Sequence, residues 1–174
     1  MSPRLVLVGP PGAGKTTVAA LVAERWGTAM TDTDAVVEQT AGQPISDIFV
    51  DLGEPAFRRF EREAVRAALS EPDGVVSVGG GAVLDPDTQQ DLRRLVADGS
   101  THVVFLDVQI ADAARRVGLN VSRPLLVGNP RAQWLRLMEA RRPVYTGLAT
   151  HTVATDGRTA QQVADDVLAA LAAG

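Results

Sequence analysis

The segment from Gly9 to Thr16 has the sequence GPPGAGKT and fits the pattern GxxxxGK(S/T) of a phosphate-binding loop. The glycines of such a loop let backbone N–H groups turn toward phosphates, and the helix that follows adds its positive N-terminal dipole. Lys15 is placed to reach the β- and γ-phosphates of a nucleotide, and the Thr16 hydroxyl is placed to bind Mg²⁺. The alternative is a mere tight turn. It is disfavoured because the loop lies between a predicted buried strand and a predicted helix.

Lys15 is the only lysine of the chain, which has 16 arginines. A phosphate loop needs a compact ammonium on a flexible stem, and the planar fork of a guanidinium would serve poorly there. The position of this single lysine therefore supports the prediction of a phosphate site.

Two carboxylates follow the next predicted strand, in the triplet Asp32-Thr33-Asp34. We expect the triplet to end that strand, and because residues i and i+2 of a strand share a face, both carboxylates should approach one site. That site would lie at the C-terminal edge of the sheet, where ligands bind in open α/β folds. The alternative is that one carboxylate caps a helix and the other is an ordinary acidic loop residue.

Arg58 and Glu61 lie three residues apart in a predicted long helix, so the carboxylate is able to hold the guanidinium in place. Phe57 adds an apolar wall beside this pair. An oriented arginine next to an aromatic ring suits a small carboxylate ligand. The alternative is a solvated ion pair above phenylalanines of the core.

Two glycine-rich or polar segments are candidates for ligand contact. Residues 79–81 are three consecutive glycines at a strand end, which indicates a close backbone approach or unusual dihedral angles, with a flexible loop as the alternative. Residues 118–130 are too polar and broken for a helix or a strand, and long loops in compact domains are usually functional. Arg123 in this loop could move over a phosphate as a lid closes.

Arg141 and Arg142 precede Pro143, which we expect to end a helix. The helix macrodipole alone favours cations at a helix C-terminus. At least one of the two arginines is therefore open to a purely structural interpretation, and we assign Arg142 to that role.

Apolar, β-rich runs alternate with helical patterns along the chain, which is typical of βαβ units around a parallel sheet. We predict an α/β fold in three layers, with a five-stranded parallel sheet between helices, as a single domain of residues 1–174. Thr159 and Gln162 predict a capping box for the last helix. The predicted strands are 4–8, 29–31, 75–78, 102–107 and 152–154, and the predicted helices are 18–26, 34–40, 45–52, 54–69, about 86–98, 111–117, 131–142 and 160–172.

The composition restricts partners and location. A net charge of −4 gives no long-range attraction for nucleic acid, so we expect no nucleic-acid partner. No apolar run approaches the roughly 20 residues that cross a bilayer, and no signal-peptide pattern begins the chain. The absence of cysteine excludes disulfides and thiolate chemistry. We expect no membrane contact, a cytoplasmic location and a monomer.

Together these motifs resemble the shikimate kinase family, which has the P-loop fold of the nucleoside monophosphate kinases. The resemblance covers essentially the whole chain. The phosphate loop alone is shared with many NTPases, whereas its combination with four further segments is far more selective. Those segments are Asp32-Thr33-Asp34, Gly53-Glu54-x-x-Phe57-Arg58, Gly79-Gly80-Gly81 and Arg123-Pro124-Leu125-Leu126.

The resemblance implies ATP-dependent phosphorylation of the 3-hydroxyl of shikimate. It implies that Asp34 contacts this hydroxyl as a base or an orienting group, and that Arg58 and Arg141 hold the shikimate carboxylate. The backbone N–H of Gly80 would face the ring, and residues 34–61 would form the substrate-binding segment. The implied acceptor site consists of Asp34, Arg58, Gly79, Gly80, Gly81 and Arg141, with Phe49, Phe57 and Glu61 shaping the pocket.

For catalysis, the resemblance implies Lys15, Asp34 and Arg123, with Arg123 carried by a mobile lid of about residues 118–130. Mg²⁺ is the implied cofactor, bound by Thr16 and supported through water by Asp32. Arg116 is implied to stack on adenine, with Thr155 to Arg158 on the other side of the base. The implied nucleotide-binding set is Gly12, Ala13, Gly14, Lys15, Thr16, Thr17, Arg116, Arg123 and Arg158.

Two alternatives remain open at this point. Gluconate kinase shares the fold and the phosphate loop, although its acceptor pocket is not expected to carry the combination above. A nucleotide-binding module that signals without catalysis is the alternative from another class. An implied base, a lid arginine and an acceptor pocket all argue against it.

Overall fold

A five-stranded parallel sheet forms the centre of the computed structural model, which describes residues 4–117 and 129–174. Its strands are β1 (Arg4–Val8), β2 (Met30–Asp32), β3 (Val75–Ser77), β4 (Thr101–Asp107) and β5 (His151–Ala154). They lie in the order β2-β3-β1-β4-β5, so β1 is central and every residue of it is buried. A strand covered on both faces has to be apolar almost throughout, as β1 is. The predicted sheet is confirmed.

Helices connect the strands and enclose the sheet. They are α1 (Lys15–Trp26), α2 (Thr33–Ala41), α3 (Ile45–Asp51), α4 (Glu54–Ser70), α5 (Pro86–Ala97), α6 (Ile110–Val117), α7 (Pro130–Leu148) and α8 (Ala160–Ala173), with a 3₁₀ turn at Ala82–Leu84. Helix α1 packs with α8, and α5 packs with α7, so two helical layers flank the sheet. The predicted capping box of Thr159 and Gln162 begins α8. Over the described ranges, no helix combines the length and the apolar character that crossing a bilayer requires.

Helix α7 is longer than predicted, because Pro143 lies inside it and does not end it. A proline in a helix interior loses a hydrogen bond and costs about 3 kcal/mol or more. Beyond the proline, however, Tyr145 and Leu148 are buried in the core, and their burial offsets that cost. Arg141 and Arg142 are therefore interior residues of α7, and the prediction that they end a helix was wrong.

Helices α2, α3 and α4 surround a small core of their own. It is formed by Val37, Ile48, Phe57 and Ala64. The strands, the C-terminal half of α4 and the remaining helices share the large core, in which Trp134 is among the largest fully buried side chains. The predicted substrate-binding segment thus spans helices that pack mainly on one another, beside the C-terminal end of the sheet.

Candidate active site

The loop from Gly9 to Thr16 connects β1 to α1 and depends on glycine where the backbone turns. Gly12 has a φ of +88° and Gly14 a φ of +84°, values that L side chains rarely adopt. A Cβ on Gly12 would lie 2.9 Å from the Cα of Ala113. Glycine at position 12 therefore lets the loop pack directly on α6.

Lys15 begins α1, three residues earlier than the predicted start at Val18. The N-cap of this helix is Gly14, and no side chain caps it. The first backbone N–H groups of the helix can therefore bind a ligand. The Lys15 ammonium donates to the carbonyl oxygens of Gly9, at 2.8 Å, and of Pro10, at 3.1 Å. The loop backbone thereby holds the ammonium at the phosphate site.

A cavity of about 490 Å³ lies over this loop and the adjoining strand ends. Within it the structure brings together all but one of the residues in the implied nucleotide-binding set, together with Asp32 of the implied metal site. The exception, Arg123, lies outside the described residues. The predicted residues that line the cavity are Gly12, Ala13, Gly14, Lys15, Thr16, Thr17, Asp32, Asp34, Gly79, Gly80, Arg116 and Arg158.

Asp32 ends β2 and caps α2 at the same time. Its Oδ1 accepts the backbone N–H of Asp34, at 2.9 Å, and its Oδ2 accepts the Thr16 hydroxyl, at 2.5 Å. Because the cap starts the helix at once, Asp34 lies in the first turn of α2 and not on the strand. The expected shared strand face was wrong, although both carboxylates do reach the same cavity.

A second cavity, of about 270 Å³, adjoins the first. Pro11, Asp34, Gly79 and Gly80 line both of them, so Asp34 lies where the two cavities meet. The Asp34 carboxylate packs closely on the glycine triplet, since a Cβ on Gly79 would lie 2.7 Å from its Oδ1. The rest of the second cavity is lined by Ile45, Ser46, Phe49, Phe57, Arg58, Glu61, Gly81, Leu137 and Arg141.

Arg58 is held on two sides at the wall of the second cavity. Its guanidinium pairs with Glu61 at 2.7 Å and lies over the ring of Phe57, 5.2 Å from the centroid. The Phe49 ring packs on Phe57 at a centroid distance of 4.8 Å. Glu61 is only 4% exposed, so the solvated ion pair considered as the alternative does not form.

Burial raises the pKa of the Glu61 carboxyl above its ordinary value of 4.5, and the charge and hydrogen bond of Arg58 oppose this shift. The nearby charge of Asp34 raises the pKa further, whereas that of Arg141 lowers it. Two acids and two arginines are therefore close enough to interact around one small cavity. A group of this kind favours a ligand that carries both an anion and hydroxyl groups.

Arg141 projects from α7 into the same cavity and is 5% exposed. A Cβ on Gly80 would lie 3.4 Å from its Nη1. Within the described parts of the chain, its buried Nε has no hydrogen-bond partner and no acidic side chain forms an ion pair with it. A buried guanidinium without an acid is costly, so this position is suited to receive an anion.

The glycine triplet is a compact turn and not a flexible loop. The Gly79 N–H donates to the Thr33 hydroxyl at 3.1 Å, and the 3₁₀ turn follows directly. A Cβ on Gly81 would lie 2.6 Å from Nη1 of Arg58. A side chain there would therefore displace the arginine from the cavity wall.

Sequence reasoning missed two long-range contacts that support this site. The Tyr145 hydroxyl donates to the Gly80 carbonyl at 2.5 Å. Arg142 points away from the cavity to Asp107 at the end of β4, with 2.6 Å between Nη1 and each carboxylate oxygen. Arg142 thus forms an ion pair with Asp107. This ion pair, and not the helix dipole, explains its structural role. No local pattern identifies either contact, because the partners are far apart in sequence.

Of the expected base-binding residues, Arg116 and Arg158 line the first cavity. Arg116 donates to the backbone oxygen of Thr155, at 2.7 Å, and to its hydroxyl, at 2.9 Å. Arg158 pairs with Asp166 at 2.6 Å. Residues 155–158 are all described, and Arg158 is the one among them that lines the cavity. Thr155 instead lies buried behind Arg116 and holds its guanidinium.

Comparison with known proteins gives a consistent result. The family model described as shikimate kinase matches residues 11–172. A shikimate kinase of Streptomyces avermitilis is 55% identical over 169 residues, covering 97% of this chain and 95% of the relative. The solved shikimate kinase of Acinetobacter baumannii, in complex with shikimate, superimposes with a TM-score of 0.91 at 32% identity, over 98% of this chain and 93% of the other. A gluconokinase of Sinorhizobium meliloti reaches a TM-score of 0.60 at 21% identity, over 98% of this chain and 91% of the other, which shows the fold alone.

Proposed function

This chain belongs to the shikimate kinase family and is thus a kinase, and we propose that it transfers the γ-phosphoryl group of ATP to the 3-hydroxyl of shikimate. The observation that carries the proposal is the second cavity, where Arg58 and Arg141 lie together and which meets the nucleotide cavity at Asp34. A gluconate kinase-like activity is not favoured, because the likeness to a gluconokinase does not extend beyond the fold.

The acceptor carboxylate is assigned to the two arginines. Arg58 is already oriented by Glu61 and Phe57, so little side-chain freedom is lost when a ligand binds. Arg141 is the more strongly favoured anion site, because it is buried, its Nε has no hydrogen-bond partner, and it forms no ion pair with an acid of the described residues. The charge-assisted contact of one arginine with a carboxylate is worth about 1.5–3 kcal/mol. The glycine triplet adds backbone groups that border the ring of the acceptor.

Asp34 is assigned to the reacting hydroxyl. With the carboxylate held by Arg58 and Arg141 in the second cavity, a hydroxyl of the same small molecule can reach the junction where Asp34 lies. There the carboxylate orients the hydroxyl and accepts its proton, a contribution of roughly 10²–10⁴-fold in rate. Phosphoryl transfer depends mainly on this positioning and on charge neutralisation.

The nucleotide phosphates are assigned to the loop of residues 9–16 and the N-terminus of α1. Lys15 neutralises charge on the β- and γ-phosphates as its ammonium moves from the loop carbonyls to the ligand. Arg116 and Arg158 border the adenine end of the cavity. The backbone N–H groups of the loop are fixed in place, so they stabilise the negative charge of the phosphates without having to reorganise.

The residues present fit a magnesium ion. The Thr16 hydroxyl and the Asp32 carboxylate place two hard oxygen donors 2.5 Å apart at the phosphate end of the cavity. Mg²⁺ in kinases is typically held by one or two protein oxygens together with phosphates and waters. When bound, it would neutralise charge on the β- and γ-phosphates. The two residues would separate to receive it, Thr16 as a ligand and Asp32 directly or through water.

The remaining expectations stay predictions. We propose that residues 1–174 are one kinase domain, in which 34–61 bind the acceptor and about 118–130 form a lid. Of that lid, only residues 129 and 130 are described. Arg123 would reach the transferring phosphate when the lid closes and excludes water. A monomer in the cytoplasm also remains our expectation.

A coupled assay of ADP release tests the function. We expect release that requires shikimate, is lost with a chelator and returns with Mg²⁺. Gluconate at the same concentration should give no turnover above background. Equal or greater release with gluconate would transfer the assignment to that acceptor. Nucleotide binding without turnover on any acceptor would instead support the non-catalytic module.

A further inference from the structure

Tyr145 lies beneath the acceptor cavity and takes no part in the roles assigned above. It is completely buried, and it follows Arg141 by four residues on α7, so both side chains extend from the same helix face. Its ring packs on Phe105 of β4 with the centroids 5.1 Å apart. The large core thus fixes where the phenol hydroxyl lies.

The hydroxyl fixes one peptide of the glycine triplet. It donates to the Gly80 carbonyl at 2.5 Å. In a planar trans peptide the carbonyl and the following N–H point in opposite directions. The Gly81 N–H is therefore directed away from Tyr145. The Ala82 N–H donates to the Gly79 carbonyl at 3.0 Å and closes a turn around this peptide. Because glycine has no side chain to restrict its dihedral angles, the peptide inside the turn can still rotate, and the Tyr145 hydrogen bond restricts that rotation.

The fixed peptide lies at the junction of the two cavities. A Cβ on Gly80 would lie 3.2 Å from the Cδ of Pro11 and 3.4 Å from Nη1 of Arg141. Gly80 thus packs between the phosphate loop and the buried arginine. Burial raises the pKa of Tyr145 to about 12, while the charge of Arg141 and a hydrogen bond between these two side chains act in the opposite direction. The phenol consequently stays protonated at neutral pH and remains a donor.

We propose that Tyr145 is a positioning residue of the acceptor site, whose hydroxyl holds the Gly80–Gly81 peptide beside Arg141 before shikimate binds. Tyr145 acts through Gly80 and through its hydrogen bond with Arg141, and it does not touch the acceptor, since it does not line the cavity. The inference rests on the proposed function and adds a residue to it. A preorganised backbone lowers the free-energy cost of binding. Loss of the Tyr145 hydroxyl should therefore weaken the affinity for the acceptor.

The variant Tyr145→Phe removes one oxygen and leaves the ring. We expect the KM for shikimate to rise about tenfold, because a partly buried carbonyl loses its donor and the peptide is released. The kcat should stay within about threefold and the KM for ATP should not change. The control is Val167→Ala, in a buried position on α8 that lines neither cavity. It should lower the Tm without changing the KM for shikimate.

If Tyr145→Phe lowers the Tm and leaves the KM for shikimate unchanged, Tyr145 is merely structural and the inference is overturned. A wild-type protein without shikimate-dependent ADP release would overturn the proposed function, and this inference with it. If the variant does not fold, the wild-type protein can test the inference instead, because Tyr145 is its only tyrosine. Tyrosine labelled with ¹³C at the hydroxyl-bearing carbon then gives one NMR signal, which should shift when shikimate is added. No shift at saturating shikimate would overturn the inference.

Discussion

Replacing Arg141 by methionine removes the buried guanidinium and keeps an unbranched side chain on α7. If Arg141 binds the shikimate carboxylate, the variant loses charge-assisted hydrogen bonds worth about 1.5–3 kcal/mol. At about 1.36 kcal/mol per tenfold, kcat/KM for shikimate should fall roughly 10- to 150-fold, mainly through KM. Stability should not fall with it. The arginine has no ion-pair partner among the described residues, so its removal eliminates a buried charge and leaves no acid unpaired.

Steady-state kinetics and thermal unfolding of Arg141→Met measure both effects. Arg142→Met is the matched control, one residue further along the same helix. Its guanidinium pairs with Asp107 outside the acceptor cavity, so kcat/KM should change by less than about fivefold. A large rise in KM for Arg142→Met with none for Arg141→Met would refute the assignment of the carboxylate site. So would a fall in Tm without a kinetic effect in Arg141→Met.

Four further substitutions have distinct expected outcomes. Lys15→Met should keep the fold and less than about a tenth of wild-type turnover in the ADP assay, and more would contradict the phosphate site. Asp34→Asn should lower kcat by about two to four orders of magnitude with nucleotide affinity unchanged, whereas a near-normal kcat would make Asp34 a bystander. Arg123→Ala should lower kcat more than shikimate affinity, and the reverse pattern would place it at the acceptor. The raised pKa of Glu61 contributes stability that is complete below its ordinary value of 4.5 and is lost as the pH rises through the raised value. Chemical denaturation measures the unfolding free energy of Glu61→Gln and of the wild type as a function of pH. The value of the variant minus that of the wild type should increase as the pH rises above 4.5. A difference that does not change with pH would contradict the raised pKa.

The sheet and the phosphate loop were predictable because their signals are local. The four-residue apolar run Leu5–Val8, followed by a glycine-rich loop, specifies β1 and the turn into α1 within one short segment. The extent of α7 was not predictable in this way. Pro143 is a helix-ending signal by itself, and it is overridden by the burial of Tyr145 and Leu148, which depends on the tertiary fold.

The roles of neighbouring arginines also depended on long-range contacts. Arg141 and Arg142 are adjacent in sequence and equal in chemistry, yet one faces the acceptor cavity and the other pairs with Asp107, which is 35 residues away. Tyr145 and Gly80 are separated by 65 residues. Helical geometry separates two adjacent side chains by about 100°, but only the packing of α7 against β4 decides which of them points inward.

The most direct test of the central claim is the position of the phosphate on the product. The protein is incubated with ATP, Mg²⁺ and shikimate, and the product is examined by phosphorus–proton correlation NMR. We expect one phosphorylated product, in which the phosphorus couples to the ring proton on the carbon that carries the 3-hydroxyl. A phosphate on another hydroxyl, or inorganic phosphate with unchanged shikimate, would contradict the account.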